Sequence, residues 1–134
     1  MKSPLLTQIG IAVLLWIVAT ALVIAIAPFI GALPLPVTVP LVTALFIVVG
    51  RVLTGVYVER SSNRRPFSGS RLGVVVVVVQ QTLDAILVAA WGGRYPNTTI
   101  ETNGPVLTLL LGGYAAFLLG AALVDVGRGE TPGR

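Results

Sequence analysis

Four long apolar stretches, joined by short segments whose basic residues fall almost wholly on one side, constrain this chain more than any other feature. They run from Leu5 to Phe29, Val37 to Val58, Leu72 to Trp91 and Val106 to Val124. Each is close to the ~20 residues with which a helix crosses ~30 Å of hydrocarbon. Hydrophobic residues make up 55% of the chain and charged residues 10%. Soluble domains carry about a quarter charged residues, so this composition cannot supply a water-facing surface. The runs are continuous rather than alternating, unlike the strands of an outer-membrane barrel. Helices are then the remaining way to satisfy backbone groups in lipid. The β-branched run Val74 to Val79 would suit a buried strand in a soluble protein, but inside an apolar span it reads as helix.

The expected fold is therefore all-α: a polytopic integral membrane protein with four transmembrane helices in an antiparallel up-down bundle. Residues 1–134 form a single membrane domain with no room for a soluble one. Pro34 and Pro36 in the first connection predict a tight hairpin between spans one and two. The segment 59–71 reads as a polar, arginine-rich cytoplasmic loop, 92–105 as an irregular external loop rich in Gly, Pro and Asn, and 127–134 as a short tail.

Folding the chain back and forth four times places Lys2, Arg60, Arg64, Arg65, Arg71, Arg128 and Arg134 on one side and Arg94 alone on the other. This asymmetry predicts a plasma-membrane protein with both termini cytoplasmic. The first span also has features of a secretory signal, since Lys2 precedes it and Ala25-Ile26-Ala27 offers small residues at a cleavage spacing. Against cleavage, the apolar stretch Ile9 to Ala27 exceeds the roughly 7 to 15 residues of a signal core, and Pro28 would follow the cut.

The chemical inventory argues against an enzyme. The chain has no histidine and no cysteine, which removes imidazole and thiolate metal ligation, haem ligation through either, a thiol nucleophile and a histidine base. The only lysine is Lys2, so a buried Schiff-base amine is absent too. Asp84 and Asp125 lie at different depths and cannot share one site as a carboxylate dyad. No metal and no cofactor is expected.

Gln80, Gln81 and Asp84 stand together in span three, within an arc of about 100° at ~100° per residue. A carboxylate at that depth must pair, take up a proton or meet water, because lipid offers it nothing. Arg51 in span two is the expected partner: it lies about 10 Å inside the cytoplasmic end of its span, against about 12 and 18 Å for Gln80 and Asp84. The cluster has two readings, a polar clamp that fixes helix register or a proton or ion path. For Arg51 the alternative is snorkelling to the headgroups.

Thr108, Gly112, Ala116 and Gly120 place a small residue at every fourth position of span four, a ridge that permits close helix contact, with Gly50 and Thr54 as a shorter counterpart in span two. A shift of 65 residues aligns Pro40, Thr43, Leu45, Leu53 and Gly55 with Pro105, Thr108, Leu110, Leu118 and Gly120, which raises a duplicated helical hairpin as a reading. Arg60, Arg64, Arg65 and Arg71 are candidates for holding anionic lipid headgroups at about 1 kcal/mol per charge, or serve as a topology signal alone. The pI near 10.4 is accounted for by these membrane-flanking charges, so nucleic acid is not an expected partner. Tyr57, Trp91 and Tyr95 fit the interfacial aromatic belts, whereas Trp16 and Tyr114 read as packing residues. Asn97-Thr98-Thr99 matches the N-glycosylation pattern in the loop assigned to the outside. Eight arginines against one lysine suggest a GC-rich prokaryotic gene.

The expected partners are thus the bilayer and other membrane helices, from the same chain type or another. The expected role is a non-enzymatic structural or accessory subunit. The rival is a small ion or proton channel, or a proton-coupled transporter, centred on Asp84.

Overall fold

The computed structural model describes residues 4–30, 34–61 and 65–129. Among these residues the structure is all-helical: α1 (Pro4–Ile30), α2 (Leu35–Arg60), α3 (Ser68–Ala90) and α4 (Ile100–Gly127). All four are long and apolar enough to cross a membrane. The valine run 74–79 is helix, as expected from its place in a long apolar stretch.

Apart from the end of α3, which stops one residue short of Trp91, the helices begin and end further out than the apolar runs, for local reasons. Proline stands in the first turn of α2, where a missing N–H costs nothing. Helix α4 starts six residues before the expected Val106 because Thr99 and Thr102 form a capping box: Thr99 N–H donates to Thr102 Oγ1 at 2.8 Å and Thr102 N–H to Thr99 Oγ1 at 3.2 Å. Glu59 and Arg60 belong to the last turn of α2 rather than to a loop.

Within α1, Pro28 has no N–H for the carbonyl four residues earlier, that of Ile24. Asn97 supplies the donor instead, its Nδ2 reaching the Ile24 oxygen at 2.8 Å. The span can thus carry a proline without leaving a backbone acceptor bare.

Helix α4 is the hub. Half of its most apolar window is buried, against 28% for α3, 17% for α2 and 6% for α1. It packs along α2 and α3, and α1 lies mainly on α3. The tight hairpin expected of the first two spans is not found: no Cα atoms of α1 and α2 approach within 8 Å among the described residues. Their one described hydrogen bond runs from Gln8 Nε2 to the Tyr57 hydroxyl at 3.3 Å.

Glycines set the closest approaches. A Cβ at Gly120 would stand 2.2 Å from the Ile47 carbonyl oxygen and 2.9 Å from the Arg51 nitrogen, and one at Gly50 would stand 2.4 Å from the Phe117 oxygen. Only hydrogen fits at such backbone-to-backbone contacts. On the other side of α4, a Cβ at Gly69 would meet the Ala121 oxygen at 2.7 Å, and one at Gly73 would meet the Ala121 side chain at 2.7 Å. The four-residue ridge read from span four is therefore split. Ala116 and Gly120 are buried, Gly120 against α2, while Thr108 and Gly112 are exposed.

Two apolar clusters fill the interior. Ala12, Leu72, Val76 and Phe117 form one. Ala27, Ile30, Tyr95, Val106, Leu110 and Tyr114 form the other.

Candidate functional site

Asp84 lies between the two clusters, 8% exposed. Its Oδ1 accepts a hydrogen bond from Trp16 Nε1 at 2.8 Å, and its Oδ2 accepts one from the Tyr114 hydroxyl. One carboxyl group therefore ties α1, α3 and α4 together. Both donors are neutral, and both are aromatic side chains whose single polar atom needs a partner once the ring is buried.

The expected Arg51 to Asp84 pair is not formed. Arg51 stands on the α2–α4 seam, where its backbone nitrogen packs on Gly120, and its side chain is exposed. The physical reason is the glycine contact: α2 is drawn onto α4, which turns Arg51 away from α3. Depth arithmetic placed Arg51 and Asp84 within reach along the membrane normal, but it could not say which helix α2 faces. Likewise Trp16 and Tyr114, read as packing residues, are the partners of the acid. The signal was available in their N–H and O–H groups, which have no partner in lipid.

Gln80 is buried, 7% exposed and one turn before Asp84. Gln81 is exposed and lines, with Asp84, Ala85, Leu107, Leu111 and Tyr114, a lateral crevice of about 360 Å³ between α3 and α4. The predicted trio is thus divided between the interior and the crevice wall. Tyr95, expected at an interface, is instead 1% exposed, and its hydroxyl has no hydrogen-bond partner among the described residues. Burial raises its pKa, so it stands as a neutral phenol near Thr20. Trp91 is 60% exposed, as an interfacial residue would be.

Asp125, considered from sequence only as a dyad partner for Asp84, is a second buried carboxylate with a role of its own. Asp125, in the last turn of α4 and 2% exposed, caps the start of α3 from the neighbouring helix. Gly69 N–H donates to Oδ1 at 2.9 Å, while Ser70 N–H and Ser70 Oγ donate to Oδ2 at 2.7 and 2.5 Å. A carboxylate at the C-terminal end of its own helix is unfavourable, but here it answers the open N–H groups and positive end of α3. Phe67, the N-cap residue in the left-handed region at φ 56°, makes no side-chain cap, so Asp125 takes that role.

Of the headgroup candidates, Arg65 and Arg71 line a cleft of about 200 Å³ with Gln8, Tyr57 and Ser68. Arg60 is exposed in the last turn of α2. Arg64 lies outside the described residues, as do Lys2 and Arg134. Asn97, the glycosylation candidate, is exposed with φ 61°, and its amide nitrogen, the atom a glycan would modify, is the donor to Ile24 described above.

No protein-family model matches the chain, and neither a curated protein nor a solved structure is similar to it.

Proposed function

We propose that this chain is a small integral membrane protein that crosses the plasma membrane four times in alternating directions, with both termini cytoplasmic. In that setting it acts as a non-enzymatic structural or accessory subunit, packing with copies of itself or with other membrane proteins. The observation that carries this reading is the state of Asp84. Both oxygens of the one acid in the middle of a span are committed to Trp16 and Tyr114, the arrangement of a helix clamp. Large apolar residues along α1 and α2, among them Leu14, Val18, Leu22, Leu41, Leu45 and Val52, face outward and suit lipid or a partner helix.

A specific feature supports a second reading. The lateral crevice reaches Asp84 and Gln81, which suits a small channel or proton-coupled transporter built around the acid.

Asp84→Asn separates the two. Under the structural reading, the purified variant loses stability in detergent while wild-type proteoliposomes show no proton or ion flux above empty vesicles. Flux in the wild type that disappears in a folded Asp84→Asn variant would replace the subunit reading by the transport one.

A further inference from the structure

Beyond the Gly120 contact, α2 and α4 line a groove of about 570 Å³. Arg51, Gly55 and Glu59 form one wall, along a single i, i+4 row of α2. Leu123 and Arg128 belong to the other wall.

Arg51 is nine residues from the last residue of α2, about 13 Å along the axis. It is exposed, and no hydrogen bond or ion pair joins it to another described residue. A guanidinium stays protonated in every protein environment, so on the lipid-facing length of a span it must meet an anion or extend to the headgroups. Its backbone, held against Gly120, cannot withdraw.

Gly55 supplies the way out. Nothing lies within 4 Å of a Cβ built there, and the same is true of Gly127 on the facing wall. The two glycines leave an open slot from Arg51 to the mouth of the groove. The lining carries two guanidiniums, Arg51 and Arg128, against the single Glu59 carboxylate, so its net charge is positive and favours an anion.

We propose that this groove binds one anionic phospholipid, its phosphate near the mouth where the Arg51 side chain, extended past Gly55, meets it, and an acyl chain running inward along Val56 and Val52. Arginine meets phosphate through paired N–H donors, and a diacyl lipid has the apolar body the groove requires. The proposal rests on the membrane placement given above and assigns a site separate from the Arg60 to Arg71 segment.

The test is native mass spectrometry of the full chain released from nanodiscs that contain equal amounts of phosphatidylglycerol and phosphatidylcholine with matched chains. One phosphatidylglycerol is retained per chain with about tenfold preference, and Arg51→Gln brings the preference to parity. Gly55→Leu does the same by filling the slot, with helical content and tryptophan fluorescence unchanged because a Cβ at Gly55 meets nothing within 4 Å. Wild-type preference in a folded Gly55→Leu variant overturns the site. So does a preference that follows Arg65 and Arg71 and ignores Arg51. Recovery of the chain as a dissolved monomer without detergent would instead sink the membrane placement itself.

Discussion

The two helical hairpins of this chain have nearly the same layout and opposite behaviour. A shift of 65 residues carries Leu35, the first residue of α2, onto Ile100, the first of α4, and carries Pro4 of α1 to within one residue of the start of α3. Yet α3 and α4 pack along each other, whereas α1 and α2 do not touch through their backbones. The difference lies at identifiable positions. Asp125, Gly69, Gly73, Asp84 and Tyr114, which close the second hairpin, correspond in the first to Arg60, Pro4, Gln8, Ala19 and Val49. Every device that closes one hairpin is missing from the other. Apolar surface alone does not pair helices in lipid, since the tails are as apolar as leucine; small residues and satisfied polar groups decide it. The first hairpin accordingly splays, with α1 resting on α3 and α2 on α4.

The sharpest way to break the contrast is to open the closed hairpin at its capped end. Asp125→Ala removes the acceptor of three donors. Because the stranded groups are buried at Gly69 and half-buried at Ser70, and the acceptor is a carboxylate, we expect a loss of about 3 kcal/mol. Reversible unfolding by dodecyl sulfate in mixed micelles would measure it. Asp125→Asn keeps one oxygen and should lose less than half as much. Equal stability of Asp125→Ala and the wild type would remove the cap from the account of why α3 and α4 pair.

Next in size is the seam by which α2 leaves its own hairpin. Gly120→Ala puts a Cβ 2.2 Å from the Ile47 oxygen, backbone against backbone, so the helices must separate. A loss of about 2 kcal/mol is expected, in the range of overpacked cores. The same unfolding assay reads it, and Gly112→Ala on the same helix, where a Cβ would meet nothing within 4 Å, should cost nothing.

Smaller again is the Asp84 clamp. Trp16→Phe removes one donor and keeps a ring, and interhelical hydrogen bonds in membranes average about 0.6 kcal/mol. We expect about 1 kcal/mol, because the lost bond is to a carboxylate and the acid retains Tyr114. Double-mutant coupling between Trp16→Phe and Tyr114→Phe would show whether the two donors act as one clamp.

Much of this architecture was legible in the chain, and the reasons for the rest are physical. Four helices long and apolar enough to cross a membrane follow from the length of the apolar runs, because helix is the structure that about twenty consecutive apolar residues adopt in lipid. That Asp84 is buried and partnered follows from its depth. Its partners do not, because hydropathy measures position along the membrane normal and carries no information about which helix faces which. That choice is made by Gly50, Gly69, Gly73 and Gly120, and glycine is too common in membrane helices for its spacing to single out a neighbour. The capping role of Asp125 is hidden for a related reason. A carboxylate near a predicted span end resembles an ordinary boundary residue until the start of α3 is seen beside it.

The smallest expected effect is also the most direct control on the hairpin comparison. Arg60 occupies the place in the first hairpin that Asp125 occupies in the second, yet it is exposed in the last turn of α2. Its contribution is limited to a favourable interaction with the C-terminal end of its own helix, a few tenths of a kcal/mol. Arg60→Ala should therefore change unfolding by less than about 0.5 kcal/mol, in the same assay that reads the Asp125 variants. A loss comparable to that of Asp125→Ala would mean that α1 and α2 are joined by a lock of their own, and the open first hairpin would have to be redrawn.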